Sequence, residues 1–549
     1  MAEGPRRDTQ QLALPNQVRA PASAWLSGTS GVMAQAVNSY DRGSKISAGL
    51  LARNTLLNVV GQIAPALVAL VTIPSIIRGL GTEGYGVFSL ALIVLGYFGL
   101  FDLGLGRATT KFVAEYLGQD NAKQLPGLVW TSLGLQLLLG SLGGILLAAA
   151  APLLVSKVLN IAPALVTEAE TTFFFLAPSL PVVLGAATLQ GVLAAGQRFD
   201  LVNAVNIPSS SLSFLIPAAA LPLGFGLPGI VLLLLGAKLA AGLAYLVLCL
   251  RVFPSLKHAF SFDRKLLRPL FVFGGWVAVS NTLSPILTYL ERFLIASLLS
   301  VGMLTFYAAP YEMVSRAVIL PVALASTIFP AFSYYGPNDR LALKELFFRS
   351  LKWILFVMTP VAILFAVFAG EILLFWLGQN FAQRSTALFQ ILALTFFLHA
   401  FAHLPLAAIQ GLGRPDLKAK LDLVQVPLFI GLLWGLIPTM GINGAALAKL
   451  IITVIDVTCL FGLAKRLVGF SIRRLLIEIL GRGILVSIVF AAAAFALAIF
   501  SQSLPLDLSL LLVCVVVYVI IFWNTALDSS DRAALRVVWE HLFRKGASA

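Results

Sequence analysis

The chain has 549 residues, of which 59% are hydrophobic and only 11% are charged, and its mean hydropathy is +0.94. These values exclude a soluble globular protein and indicate an integral membrane protein. The net charge of +14 does not indicate nucleic-acid binding, because the cations are spread along the chain instead of forming one basic surface.

The first 53 residues differ from the rest of the chain. They are rich in Ala, Ser, Gly, Gln and Asn, carry scattered charges and show no sustained hydrophobic period. They also lack the short apolar core and the cleavage site of a signal peptide. We therefore expect residues 1–53 to form a disordered cytoplasmic tail.

From residue 54 onward, apolar runs of about 18 to 28 residues recur between short polar breaks, and each is long enough to cross a bilayer. Such runs predict helices, since an unpaired backbone is too costly in lipid and barrel strands would be shorter and alternating. We predict fourteen membrane helices, approximately at residues 55–78, 86–104, 127–153, 172–195, 201–223, 227–250, 270–297, 303–333, 352–377, 386–410, 421–439, 442–464, 483–500 and 508–526.

The distribution of Lys and Arg predicts the orientation of these helices. With the N-terminus inside, the inner segments hold 31 of the 38 Lys and Arg residues, and the outer loops hold only Arg78, Lys157 and Arg384. Inner loops of membrane proteins carry such an excess of cations. Both termini are therefore predicted to be cytoplasmic, with the basic loops held against an anionic membrane surface.

Two amphipathic segments follow membrane helices on the inner side. The segment DLGLGRATTKFVAEYLG at 102–118 places Arg107, Lys111 and Glu115 at helical spacing, which predicts a helix lying along the membrane interface. Residues 329–353 show a similar aromatic and basic pattern after helix eight.

Three pairs of positions indicate an internal repeat. They are Arg53 with Arg268 at the start of helices one and seven, Gly229 with Gly444 at the start of helices six and twelve, and LQGVLAAGQRFD (189–200) with IQGLGRPDLKAK (409–420). Their offsets of 215, 215 and 220 residues map six helices onto six. This predicts an all-α membrane protein of two six-helix lobes, related by a pseudo-two-fold axis along the membrane normal, plus two C-terminal helices.

The predicted domains follow from this repeat. They are a tail at 1–53, a first lobe at 54–253, a basic cytoplasmic linker at 254–268, a second lobe at 269–467, helices thirteen and fourteen at 468–527, and a cytoplasmic tail at 528–549.

No motif of a catalytic or ATP-binding site is present. The sequence has no GxxxxGK[ST], HExxH or GxSxG motif, so we expect neither an enzyme nor a protein that uses ATP. His399 and His403 have the i, i+4 spacing of a metal pair, but no Asp, Glu or Cys lies beside them in the sequence. Packing, a proton-linked cavity and metal ligation stay open for this pair, and no metal site or cofactor is predicted.

Four cations lie inside predicted membrane helices, namely Lys238, Arg292, Arg316 and Lys449. A charge there costs about 2.5 kcal/mol or more unless it faces protein or water. Lys238 has no acid within four residues, which favours a place in a polar cavity. Lys449 lies nearer the outer end and shares a helix face with Asp456, so snorkelling or a structural pair is the alternative to a cavity role.

Each of the two arginines has an acid nearby in the sequence. Arg316 lies four residues after Glu312, so an i, i+4 ion pair is the alternative to a role in the cavity. Arg292 lies beside Glu291 in the outer third of helix seven, and its alternative is to reach the membrane interface.

Three polar patches interrupt the apolar helices. They are NVVGQIAP (58–65) in helix one, NIPSSSLSF (206–214) in helix five and VSNTLSP (279–285) in helix seven. Such groups at membrane depth indicate a wet interior, with packing by small residues as the alternative. The candidate polar ligands are Gln62, Ser210, Asn281 and Thr282.

Four stretches carry a resemblance to a known family. They are LGTEGYGVFSLALIVLGYFGLFDLGLGRATTKFVAEY (80–116), ERFLIASLL (291–299), YEMVSRAVILPVALASTIFPAFS (311–333) and LPLAAIQGLGRPDLKAKLDL (404–423). The chain resembles, over about residues 50–470, the polysaccharide transporters and O-antigen flippases of the multidrug/oligosaccharidyl-lipid/polysaccharide flippase superfamily. Helices thirteen and fourteen depart from the twelve-helix pattern and look more like the lipid II flippase branch.

The resemblance implies two lobes around a central cavity and transport of a lipid-linked glycan by alternating access. The implied cargo is an undecaprenyl-pyrophosphate oligosaccharide, whose diphosphate would be bound by the four membrane cations and whose sugars by the polar ligands. The implied partners are membrane lipids and the polymerase and glycosyltransferases of the same pathway, and the implied location is a bacterial inner membrane.

The energy source and the class of cargo stay open at this stage. An H+ or Na+ gradient is the expected energy source, with Glu312, Asp456, His399 and His403 as coupling candidates. The alternatives to a glycan flippase are a lipid II flippase, a drug or metabolite antiporter of the same superfamily, and a membrane glycosyltransferase or O-antigen ligase.

Overall fold

The computed structural model describes residues 48–97, 105–119, 124–257, 261–474, 482–500 and 504–525, and their regular structure is helical. Its main helices are α1 (Ala48–Tyr97), α2 (Leu105–Gly118), α3 (Leu125–Leu153), α4 (Val166–Leu176), α5 (Ser179–Ala195), α6 (Phe199–Ala220), α7 (Leu227–Val252), α8 (Leu267–Leu298), α9 (Val301–Ser315), α10 (Ile319–Asn338), α11 (Arg340–Val367), α12 (Ala369–Leu377), α13 (Gln379–Gly411), α14 (Asp416–Val468), α15 (Arg482–Phe500) and α16 (Leu504–Thr525). The all-α prediction is confirmed for these residues. The two predicted tails lie outside them, apart from the start of α1.

The fourteen predicted runs coincide with these helices over all or most of their lengths. Runs one and two share α1, and runs eleven and twelve share α14. Each of these long helices is kinked at a glycine with positive φ, 70° at Gly81 and 61° at Gly441. In the described part of the chain, nine helical stretches are long and apolar enough to cross a membrane, and two shorter apolar helices lie within α15 and α16.

The amphipathic helix predicted at 102–118 is present as α2. Leu105, Ala108 and Val113 are buried on one side, whereas Arg107 and Lys111 are exposed on the other. The second amphipathic segment is divided between α10 and α11. Asp339 caps α11, because its side chain accepts hydrogen bonds from the backbone N–H groups of the second and third helical residues.

The turn between α5 and α6 recurs between α13 and α14. Arg198 donates two hydrogen bonds of 3.0 Å to Asp200, and Arg414 donates two of 3.0 and 3.2 Å to Asp416. In both turns the residue before the arginine has a positive φ, 58° and 77°. The arginines are 216 residues apart, so the offset of 220 read from LQG and IQG is four residues too long for this turn. The repeated turn supports the predicted internal repeat.

For the contacts between the repeats, residues 54–253 are called the first lobe and residues 269–467 the second lobe. The two ends of the bundle are called outer and inner after the predicted orientation. At the outer end, one apolar core contains residues of both lobes, including Ile73 and Phe88 of the first and Leu304 and Phe389 of the second. The two lobes are therefore packed together at this end.

At the inner end, the buried apolar residues fall into separate clusters. One surrounds Leu105 and Val192 of the first lobe, and another surrounds Ile409 and Leu460 of the second. The first cluster also contains Leu270, because the start of α8 lies against α2. Among the residues whose side chains are described, Leu270 is thus where the two lobes share an apolar cluster at this end.

The two C-terminal helices pack against α11 of the second lobe. The Tyr518 hydroxyl donates a hydrogen bond of 3.3 Å to the carbonyl oxygen of Phe356, and the two rings stack with centroids 6.1 Å apart. Leu485 and Ile488 of α15 are exposed, as expected for a surface that faces lipid.

Candidate functional site

The outer end holds the first part of the candidate site, a set of polar contacts between the lobes. Asn160 lies in the loop after α3 and contacts the turn between α8 and α9. Its backbone N–H donates to the carbonyl oxygen of Ala296 (3.0 Å), and its carbonyl oxygen accepts from the N–H of Val301 (3.1 Å). Its side-chain amide donates to the carbonyl oxygen of Leu299.

Two glycines bring the kinked region of α1 close to the start of α9. A Cβ atom at Gly86 would overlap the carbonyl oxygen of Val301, and a Cβ atom at Gly302 would overlap the carboxylate of Glu83. At Gly86, only glycine allows so close an approach to the backbone of Val301. The side chain of Thr305 adds a hydrogen bond to the carbonyl oxygen at position 82.

A third contact joins α1 to α12. The Trp376 indole N–H donates a hydrogen bond of 2.7 Å to the carbonyl oxygen of Leu70. All of these hydrogen bonds join the two lobes at the outer end. We call this set the outer seal; it consists of Leu70, Thr82, Glu83, Gly86, Asn160, Ala296, Leu299, Val301, Gly302, Thr305 and Trp376.

Next to the outer seal lies a cluster of five charged residues in the second lobe. Glu312 of α9 accepts one hydrogen bond from Arg292 of α8 (3.2 Å) and one from Arg316 (2.7 Å), each through a different carboxylate oxygen. Glu291 pairs with Lys449 of α14 (3.3 Å). We call these five residues the charge cluster.

The exposure of the cluster increases from Arg292 to Arg316. The side chain of Arg292 is 5% exposed and lies against the rings of Tyr311 (4.2 Å) and Tyr289 (5.6 Å). The side chains of Glu312 and Arg316 are 22% and 31% exposed. Arg316 also begins a 3₁₀ turn, Arg316–Val318, that separates α9 from α10. The cluster therefore presents one guanidinium to open space, at a break in a membrane helix.

These contacts test the structural alternatives to a cavity role for three cations. The i, i+4 ion pair between Glu312 and Arg316 is confirmed. The alternative for Arg292 was wrong, because it is buried and pairs across two helices with Glu312 instead of reaching the interface. The pair proposed between Lys449 and Asp456 was also wrong, because Lys449 turns toward Glu291.

Asp456 belongs to a second polar group in α14. It accepts hydrogen bonds from Lys418 (2.6 Å) and Gln425 (3.0 Å), and Lys418 also pairs with Asp422 (2.9 Å). These residues lie before and after the kink at Gly441, and their contacts join the two halves of α14.

The two histidines of α13 lie together but without other metal ligands. The ring centroids of His399 and His403 are 4.9 Å apart, with the rings nearly perpendicular. No group of three or more His, Cys, Asp and Glu side chains arranged for a metal ion occurs in the described chain. The ring of His399 also lies edge-on to Phe396.

Lys238 and the predicted polar ligands lie mostly in the first lobe. The Lys238 ammonium donates a hydrogen bond of 3.4 Å to the hydroxyl of Ser209, and Ser210 donates one of 3.3 Å to Asn206. Gln62 is exposed. The side chains of Asn281 and Thr282 lie outside the described residues. In the described chain, no contact joins Lys238 to the charge cluster.

Sequence reasoning missed three partners within these groups. Glu291 was noted only as the neighbour of Arg292, and Tyr311 and Lys418 were not singled out. The available signal was an acid inside a membrane helix, which requires a cation or a donor nearby. The partner of Glu291 could not be predicted from the sequence, because Glu291 and Lys449 are far apart in the chain and meet only in the folded lobe.

The fold with its two joined lobes is shared with solved membrane transporters. The lipid II flippase MurJ, in an inward closed conformation, matches with a TM-score of 0.68 and 15% identity over 86% of this chain and 99% of that chain. A multidrug resistance transporter of the MATE family and the MOP superfamily, in an inward-facing conformation, matches with a TM-score of 0.62 and 16% identity over 76% of this chain and 94% of that chain. The molecule is thus a multi-pass helical membrane protein with the fold of the MOP superfamily.

Sequence comparison then identifies the family. Residues 51–335, about half of the chain, match the model of the polysaccharide biosynthesis protein family, and the chain belongs to this family. A protein of Shigella flexneri named "Putative O-antigen transporter" is 29% identical over 426 residues, which are 76% of this chain and 98% of that protein. A Haloferax volcanii protein named "Probable flippase AglR" is 22% identical over 180 residues, or 32% of this chain and 37% of that protein. The family resemblance found in the sequence is confirmed.

Proposed function

We propose that this protein is a flippase that moves an undecaprenyl-pyrophosphate-linked oligosaccharide or polysaccharide precursor across a bacterial inner membrane. Its family and its Shigella flexneri relative support a role in glycan export, and the fold supports transport instead of catalysis. The observation that carries the proposal is the charge cluster, which has three cations for two acids and exposes Arg316.

A diphosphate-linked glycan has chemical requirements that this cluster suits. Its head is anionic and its sugars cannot enter hydrocarbon, so the protein must supply cations in a polar space. An exposed guanidinium can bind a phosphate through two parallel hydrogen bonds. Arg316 would bind the diphosphate, with Lys238 on the opposite lobe as a second cation, while the lipid tail stays in the bilayer.

The outer seal supports alternating access as the transport mechanism. With the lobes joined at the outer end and their cores separate at the inner end, this conformation would accept the head group from the inner side. Release outside would require the outer seal to open and the inner ends to come together. Both termini would be cytoplasmic, as the Lys and Arg distribution predicts.

The energy source is proposed to be an H+ or Na+ gradient. Among the coupling candidates, Glu312 lies in the charge cluster, so its ionisation would act directly on the proposed binding site. Asp456, His399 and His403 lie in separate contacts of the second lobe.

A lipid II flippase is the second candidate function, favoured by the two additional helices α15 and α16 and by the fold shared with MurJ. The two functions differ in what their loss does to a cell. A strain without this protein would accumulate an undecaprenyl-pyrophosphate glycan in the first case and would fail to build peptidoglycan in the second. A drug antiporter would instead change drug resistance with neither effect.

Variants of the membrane cations test the binding role. Lys238→Gln and Arg316→Gln should each impair glycan export at matched protein levels, and Arg316→Lys should also be impaired because an ammonium lacks the guanidinium fork. Arg384→Gln is the matched control, since Arg384 is exposed near the outer end of α13. Normal export by both neutral variants would overturn the binding role.

A further inference from the structure

We propose that Glu312 is a positioning residue that holds the Arg316 guanidinium between transport cycles and gives it up to the incoming diphosphate. This inference rests on the proposed function and adds to it a competing internal anion. Glu312 would thereby limit how tightly the diphosphate is bound and allow it to leave.

The geometry gives Glu312 two partners that differ in mobility. Its Oε1 accepts from Arg292 and its Oε2 from Arg316. Arg292 is buried and held against two tyrosine rings, whereas Arg316 is partly exposed and lies at the start of a 3₁₀ turn. A change of partner is therefore easier for Arg316 than for Arg292.

The pattern of charges provides for such an exchange. When a phosphate takes Arg316, Glu312 keeps the buried Arg292 as its partner, and neither buried charge is left unpaired. When the phosphate leaves, Arg316 returns to Glu312. The cluster thus keeps each of its ions paired in both states, which a single ion pair could not do.

The other acid of the cluster is not placed for this role. Glu291 is fully buried and lies near Lys449 and the hydroxyl of Tyr307 (3.5 Å). The Arg316 side chain is 31% exposed although its Nε–H is buried, so an arriving phosphate would contact the exposed part of this side chain and then displace Glu312.

The exchange would take place beside the outer seal. Tyr85 of the first lobe, next to Gly86, is buried in the same apolar core as Tyr311, whose ring centroid lies 4.2 Å from the guanidinium of Arg292. The charge cluster therefore lies close to the boundary between the lobes.

Binding of undecaprenyl pyrophosphate to the purified full-length protein in nanodiscs tests the inference. Glu312→Gln removes the competing anion and should tighten binding by about fivefold, as expected for a partly exposed ion pair. Arg316→Gln should weaken binding by about tenfold or more. Glu345→Gln is the matched control: it also removes an acid that pairs with an arginine, Arg474 (2.7 Å), but this pair lies outside the charge cluster, so binding should not change.

Glu312→Gln leaves Arg292 without its acid and could reduce folding, so a compensated variant is needed. Arg292→Gln combined with Glu312→Gln removes one buried cation and one acid together, and it should bind the probe as tightly as Glu312→Gln. The inference would be overturned if both variants bound the probe no more tightly than the wild-type protein does. If the wild-type protein still bound the probe and Arg316→Gln bound it more weakly, the proposed function would stand. Absence of binding by the wild-type protein would count against the proposed function itself.

Discussion

The outer and inner ends of the bundle hold the two lobes together in different ways. At the outer end, one apolar core crosses the lobe boundary, and the loop at Asn160 and the crossing at Gly86 add specific contacts. Among the described side chains of the inner end, each lobe has its own apolar cluster, and the start of α8 packs against α2.

This difference indicates where a conformational change must act. Opening the outer end requires breaking hydrogen bonds and separating an apolar core that both lobes share, whereas the described side chains of the inner end share a cluster at Leu270. A transporter that alternates between two such states needs comparable free energies for both. Substitutions in the outer seal should therefore shift the balance strongly, and equivalent substitutions elsewhere should not.

Among the substitutions that test this difference between the two ends, Gly86→Val should have the largest effect on glycan export. A side chain at this position overlaps the backbone of Val301, so the outer seal cannot close. Glycan export should fall to about a tenth or less of the wild-type level, since overpacking by a few kcal/mol is enough to invert a two-state balance. Gly134→Val is the control, because nothing lies within 4 Å of a Cβ atom at Gly134. Equal export by the two variants would contradict a closed seal at Gly86.

Thr305→Val should have an intermediate effect. Thr305 is fully buried, and the substitution leaves the carbonyl oxygen of Thr82 without its hydrogen bond at nearly unchanged volume. The expected cost to the closed outer end is about 1–3 kcal/mol. An impermeant thiol reagent should then label a cysteine placed at residue 160 faster than in the parent protein, and unchanged labelling would show that this bond does not hold the seal.

Only some of the features described above could be predicted from the sequence. The helices were predictable because their apolar runs match the thickness of a bilayer, and the Glu312–Arg316 pair because its spacing lies within one helix turn. The ion pairs of Arg292 and Lys449 were not predictable, since the acids that they contact come within reach only when separate helices pack together. LGTEGYGVF was recognised as a family feature, but its role in the outer seal depends on a contact with α9, about 220 residues away.

Asn160→Ala should have a smaller effect than Thr305→Val. The substitution removes the side-chain bond to Leu299, but both backbone hydrogen bonds of this residue are retained. Loss of one exposed hydrogen bond costs about 1 kcal/mol, so export should fall by no more than about fivefold. Ser156→Ala is the control from the neighbouring π-helical segment, since the Ser156 hydroxyl bonds only within its own helical turn. A complete loss of export by Asn160→Ala would mean that the loop has a further role.

Tyr518→Phe should have the smallest effect on transport. It removes a hydrogen bond between α16 and α11, away from the contacts that join the lobes. Thermal stability should decrease slightly, by about 1 kcal/mol in the free energy of unfolding, while the export rate per molecule stays unchanged. A reduced rate per molecule would show that the C-terminal helices take part in the transition between the two states.

A disulfide across the outer seal tests alternating access most directly. Asn160→Cys and Leu299→Cys would be combined in a chain whose native cysteines, Cys249, Cys459 and Cys514, are replaced. Oxidation should cross-link the lobes and reduce glycan export to the level of cells without the protein, and a reductant should restore it. Full export by completely cross-linked protein would contradict the account, because the outer end would then not need to open.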